Sequence, residues 1–145
     1  MRGEIDGEAV VDAARRWLGT PYRHQGSLVG VGADCLGLLR GVWRDLKGDE
    51  PEPVAPYTPD WAEVSAFDPL LGAAQRHFVQ TNGELKAGRI VLFRWGPRSI
   101  AKHAGILTGS SGMIHAYSGS GVVISPLVPA WRRRIAGVFA FPGDN

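Results

Sequence analysis

Apolar positions recur at helical spacing near the N-terminus, where Val10, Ala13, Ala14 and Trp17 fall at i, i+3, i+4 and i+7. Gly19, Thr20 and Pro21 then supply a stop, so the pattern predicts a first helix over about Gly7 to Leu18. Gly26, Gly30 and Gly32 make the next stretch a loop. Asp34 can cap a second helix that carries Leu39, Val42, Trp43 and Leu46 on one face and ends at Gly48. From Asp49 to Pro59 there are four prolines and three acids, the pattern of an extended acidic surface segment. A third helix is expected over about Pro69 to Gln80.

After Lys86-Ala87-Gly88 the texture changes to short runs bounded by Gly, Ser or Pro: Ile90 to Phe93, His103 to Leu107, Met113 to Tyr117, Val122 to Ser125 and Val138 to Phe141. Helices first and closely spaced strands after describe an α+β fold whose N-terminal helices pack on a C-terminal antiparallel sheet. The 20 Gly and 10 Pro agree with many turns and argue against a pure helix bundle. With 145 residues, 44% of them hydrophobic and 21% charged, the expectation is one globular domain over 1–145. No internal repeat or low-complexity tract interrupts it.

Charge changes the picture only in its distribution. Residues 1–48 carry 7 basic and 6 acidic side chains, 49–68 none and 6, and 69–145 9 and 2. A basic second half could meet an anionic polymer such as nucleic acid or cell-wall glycan, although scattered arginines are more often a solvated face, and without a nucleic-acid-binding motif nucleic acid is not expected as a partner. The stretch from Ala104 to Trp131 lacks charge, yet Gly, Ser and Pro break it, which excludes a membrane span. The N-terminal residues alternate charge with apolar side chains and do not read as a secretory signal. Synthesis in the cytoplasm, with another route of delivery for any action outside it, is therefore expected.

One cysteine cannot form an internal disulfide, which leaves a buried thiol or a nucleophile as its readings. Cys35 follows the capping Asp34 and so falls in the first turn of helix two, where orphan amides and the helix dipole favour thiolate. The same amides could donate to an oxyanion. A thiol nucleophile needs a base, and the candidates are His24, His77, His103 and His115. His103 and His115 lie in consecutive strands joined by a turn over Thr108 to Gly112. They share a sheet face only if that hairpin loop holds an odd number of residues, three placing them opposite and five diagonal. One imidazole could then accept the thiol proton while the other holds its ring, although each could equally be an ordinary hydrogen-bonded sheet residue. His24, in a loop, and His77, in a helix, are read as structural. Paired short spacings of a zinc site are absent, so neither a metal nor another cofactor is expected.

Several ordered pieces resemble the NlpC-type cysteine peptidases, papain-like endopeptidases of bacterial peptidoglycan. Gly19-Thr20-Pro21-Tyr22-Arg23 resembles the segment before the nucleophile, and Asp34-Cys35-x-Gly37 the nucleophile motif itself. Leu85-Lys86-Ala87-Gly88-Arg89 is similar to the lead into the sheet. His103-Ala104-Gly105-Ile106 is similar to the motif of the base, and Met113-Ile114-His115-Ala116 to the strand of the third polar residue. The resemblance implies a papain-like fold, with Cys35 as nucleophile, His103 as base and His115 as its orienting partner. It implies that Tyr22 helps stabilise the oxyanion or lines the pocket, and that Asp34 contacts substrate besides capping its helix. The implied substrate is the peptidoglycan stem peptide, cut between γ-D-glutamyl and a diamino acid through a thioester.

The form of the chain is most similar to peptidases of phage and gene transfer particle tail modules. That implies tail or baseplate hub proteins as partners, and action in the periplasm or cell wall. Leu36 departs from the family, which commonly places Ser there, and the Pro-rich segment over 49–68 lengthens the path to the sheet. Other readings are a papain-like amidase or acyltransferase acting on another acyl group, a tail adaptor whose catalysis is dispensable, and metal hydrolysis through the same three residues.

Overall fold

The computed structural model describes residues 3–51 and 69–143. Helix α1 spans Gly7–Arg15 and α2 spans Cys35–Lys47, with a two-stranded hairpin of β1 (Ser27–Leu28) and β2 (Gly32–Ala33) between them. Helix α3 covers Pro69–His77, and β3 (Val79–Gln80) follows it directly. Then come β4 (Ile90–Arg94), β5 (Ala101–Leu107), β6 (Gly112–Tyr117), β7 (Gly121–Pro126), a single turn of helix α4 (Pro129–Arg132) and β8 (Ile135–Ala140). The main sheet has the order β3-β8-β4-β5-β6-β7, every neighbouring pair antiparallel.

Strand alternation divides the interior into two layers. Ile90 and Leu92 point toward the helices and join Val10, Trp17, Leu38 and Val42 in the larger core. Val91 and Phe93 point to the other face, where Leu107, Met113 and Leu127 form a smaller core bordered by Trp131. Gly41 lets the Trp17 ring, just past α1, lie against α2, because a Cβ there would overlap it.

Two helix ends differ from the sequence expectation, and the strands expected over His103–Leu107 and Val138–Phe141 run Ala101–Leu107 and Ile135–Ala140. The first helix ends at Arg15, because the next amides bond three residues back, Arg16 to Ala13, Trp17 to Ala14 and Leu18 to Arg15. The apolar spacing runs on through Trp17, but this tighter turn already directs the chain toward β7, where the Gly19 N–H donates to the Val122 carbonyl. The third helix stops at His77 rather than Gln80. The exposed edge of β8 captures Val79 and Gln80 opposite Ala140 and Phe139, and sheet pairing there overrides helical periodicity. Of the acidic segment, Asp49, Glu50 and Pro51 fall within the described residues and the remainder lies outside them. Glu50 is turned inward to Arg40 (2.6 Å) and Arg44 (3.0 Å) rather than lying free on the surface.

Candidate active site

The loop before α2 is folded onto the start of that helix. The Ala33 N–H donates to the Pro21 carbonyl and the Arg23 N–H to the Ala33 carbonyl, a parallel bridge that places Tyr22 alongside β2. Gln25 adopts a left-handed backbone (φ 63), and its N–H reaches the Asp34 Oδ2 at 2.7 Å. The other oxygen of Asp34 accepts the Gly37 N–H at 2.7 Å, an N-cap on the third helical residue, as its place in the sequence predicts. Asp34 is buried, so one carboxylate fixes both the loop and the helix start. Cys35 occupies the first helical position and remains partly accessible.

The histidines come from the far side of the sheet's central hairpin. The β5–β6 ladder ends at Leu107↔Met113, enclosing the five residues 108–112, so the loop is odd and the two imidazoles share a face. His115 stands beside Gly105, diagonal to His103, and a Cβ on Gly105 would lie 3.4 Å from the His115 Cβ. The diagonal distance suits a ring-to-ring contact, and His103 Nε2 lies 2.8 Å from His115 Nδ1. On its other side His115 Nε2 lies 2.8 Å from the Ser125 Oγ of β7. The amide of Ala104, next to His103, acts on the Cys35 sulfur together with the amides of Leu36 and Cys35.

Aromatic rings hold His103. Trp95 and Phe93 lie nearly parallel to it at interplanar angles of 18° and 29°, with Trp131 at 5.6 Å and Tyr117 at 5.9 Å between centroids. Such walls exclude water and allow the imidazole little reorientation. Trp95 and Tyr117 keep about two-fifths of their surface exposed, so this wall borders solvent.

Electrostatics set the resting protonation. Burial, and then its neighbour His115, depresses His103 to about 3, and burial depresses His115 to about 4, so both are neutral near pH 7. Burial and the Asp34 charge push the Cys35 thiol up to about 12, against the pull of the three amides. This corrects the expectation of a resting thiolate: desolvation and a buried carboxylate outweigh the helix N-terminus. Tyr22 is raised by burial and then by Cys35 and Asp34, so its phenol stays protonated as a donor within electrostatic reach of the sulfur.

Asp34, Cys35 and Tyr22 thus lie together at the start of α2, the Ala104 amide beside His103 acts on the Cys35 sulfur, and His103 and His115 meet ring to ring. His24 lies in the exposed 24–25 turn and His77 at the end of α3, and neither joins the histidine pair. Among the described residues, no group of three His, Cys, Asp or Glu converges to hold a metal. Sequence reasoning missed Ser125. The available signal was the parity rule applied to the next hairpin, where the register His115↔Val123 puts Ser125 on the histidine face, diagonal to His115.

The sequence profile described as the NlpC/P60 family matches residues 19–139. The chain is 31% identical over 126 residues to murein DD-endopeptidase MepS/murein LD-carboxypeptidase of Escherichia coli K12, covering 86% of this chain and 57% of that protein. It is 30% identical over 137 residues to gamma-DL-glutamyl hydrolase of Bacillus subtilis, covering 94% of this chain and 29% of that one. The chain therefore spans little more than half the length of the first relative and under a third of the second. Among solved structures, an NlpC/P60 family protein from Bacillus cereus superposes with a TM-score of 0.66 at 19% identity, over 97% of this chain and 42% of the other.

Proposed function

The chain belongs to the NlpC/P60 family, and from that premise we propose that it is a cysteine endopeptidase that hydrolyses a stem-peptide amide of peptidoglycan, between γ-D-glutamyl and a diamino acid. The observation that carries the reading is the His103–His115 ring contact at 2.8 Å, formed beside the Ala104 amide that acts electrostatically on the Cys35 sulfur.

In this reading the Cys35 sulfur attacks the scissile carbonyl carbon while its proton passes to His103 Nδ1, the ring nitrogen that His115 leaves free. Because the resting pair is neutral, proton transfer accompanies attack rather than preceding it. The Cys35 amide and the Tyr22 phenol donate to the oxyanion. Collapse breaks the C–N bond, and the leaving amine departs with the proton from His103. Water, deprotonated by the same imidazole, then cleaves the thioester and restores the thiol. His115 keeps the His103 ring in place throughout.

As its setting, the reading takes a phage-type tail, with baseplate or hub proteins holding the enzyme and action in the periplasm or cell wall. That setting rests on sequence resemblance, and mass spectrometry of purified particles from the host tests it.

Digestion of purified peptidoglycan by the wild type and by Cys35→Ala, with fragments identified by mass, tests the chemistry. New termini at the γ-D-glutamyl position with the wild type alone support the reading. No release by either protein, or equal release by both, overturns it.

A further inference from the structure

We infer that Ser125 is a positioning residue for the reaction, the outer end of a three-residue hydrogen-bond row that supplies the acceptor needed for His103 to keep Nδ1 free to take a proton. The inference rests on the endopeptidase reading for the role of His103, but the row itself is read from geometry alone. His103, His115 and Ser125 stand on successive strands β5, β6 and β7, each diagonal to the next, and both contacts measure 2.8 Å.

A neutral imidazole carries one N–H, so each contact in the row fixes the next. If His103 is to accept a proton at Nδ1, its own hydrogen sits on Nε2 and donates to His115 Nδ1. His115 then carries its hydrogen on Nε2, and Ser125 Oγ must accept it. The reversed row has Ser125 donating to His115 Nε2, and it ends with a hydrogen on His103 Nδ1, where no proton can be taken from the thiol. Burial keeps both rings neutral, so a doubly protonated ring does not relieve this constraint near pH 7. His115 is 1% exposed, and without the hydroxyl its Nε2–H would be left without this acceptor in a largely dry site.

Thr and Val have nearly the same shape and both favour strands, so Ser125→Thr and Ser125→Val differ chiefly in the hydroxyl. Cleavage of a soluble muropeptide should show Ser125→Thr close to wild type and Ser125→Val reduced about tenfold in kcat with KM held, since one neutral hydrogen bond is at stake. Nitrogen-15 NMR of the imidazoles, recorded on the folded proteins at pH 7, supplies a readout that needs no activity. The wild type and Ser125→Thr should show His103 and His115 both protonated on Nε2, and Ser125→Val a mixture of tautomers. Equal kcat for the Thr and Val variants, or a wild-type His115 protonated on Nδ1, overturns the inference. A wild type that cleaves nothing yet shows the expected tautomers would overturn the endopeptidase reading and leave the hydrogen-bond row standing.

Discussion

Gly37 is pressed so closely against Gly26 that a Cβ on the helix residue would overlap the carbonyl oxygen of the loop residue. The same Gly37 supplies the N–H that Asp34 caps, and its carbonyl accepts the Ser27 hydroxyl at 2.7 Å. Loop and helix therefore meet backbone to backbone two residues from Cys35. In an exposed helix Gly→Ala would gain about 1 kcal/mol. Here overpacking against backbone reverses the sign, and Gly37→Ala should destabilise by about 2 kcal/mol, read from chemical denaturation. Cleavage should fall further than stability, because the shift is passed to Cys35. A stabilised Gly37→Ala would show that the contact yields.

Loss of the thiol or the base should act on the chemistry. Cys35→Ala should abolish cleavage, and His103→Ala should cost on the order of a thousandfold in kcat or more. His115→Asn and His115→Gln should retain part of the activity, since either amide can hold the His103 Nε2–H, whereas His115→Ala should not. Full activity in His103→Ala would remove it as the base.

Much of this site is legible in the chain because it is built from local rules. Asp34 announces a cap, Cys35 follows it, and the spacing of His103 and His115 reduces the question of a shared face to the parity of one hairpin loop. What escapes depends on tertiary context. The capture of Val79 and Gln80 by β8 needs the position of a strand more than fifty residues later, and the short α4 that carries Trp131 to His103 has too few residues for periodicity to show. The protonation of Cys35 is the clearest case. Its helix position argues for thiolate, and desolvation of the thiol together with the charge of Asp34 reverses that.

Asp34 stabilises two backbone groups at once and raises the thiol beside it. Asp34→Asn can accept from one of the two N–H groups and should cost about 1 kcal/mol, while Asp34→Ala leaves both without it and should cost about 2–3 kcal/mol in chemical denaturation. Equal losses for the two variants would mean that the side chain's volume matters more than its hydrogen bonds.

Leu36 packs against the larger core rather than offering an acceptor to solvent. The resembling enzymes' Ser at this place can bind a stem peptide's free amine together with the preceding Asp and a Tyr; Leu36 supplies no such acceptor, and a hydrogen bond to a charged group is worth about 1.5–3 kcal/mol. Weak preference for free tripeptide over the same stem on a disaccharide is expected, read as a ratio of kcat/KM. Strong preference for the free peptide would show that Asp34 suffices without a neighbour.

Acid should attack the fold through the histidine pair. His103 and His115 are held at about 3 and about 4, below the 6.5 of an unfolded histidine, so between these values the unfolded chain binds more protons than the folded one. Stability contributed by the neutral pair is therefore complete above about pH 6.5 and drains away as pH falls toward 4 and then 3. His103 itself should stay unprotonated over that range, so loss of activity on mild acidification should follow loss of structure rather than a histidine titration near 6.5. Urea midpoints at pH 7.5 and pH 5, compared between the wild type and His115→Gln, separate the contributions, because glutamine removes one of the two buried titrating groups. The wild type should lose more stability between the two pH values than the variant does. An equal loss would place the acid sensitivity elsewhere in the molecule, and an activity limb near 6.5 with the fold intact would show that His103 titrates as an ordinary exposed imidazole.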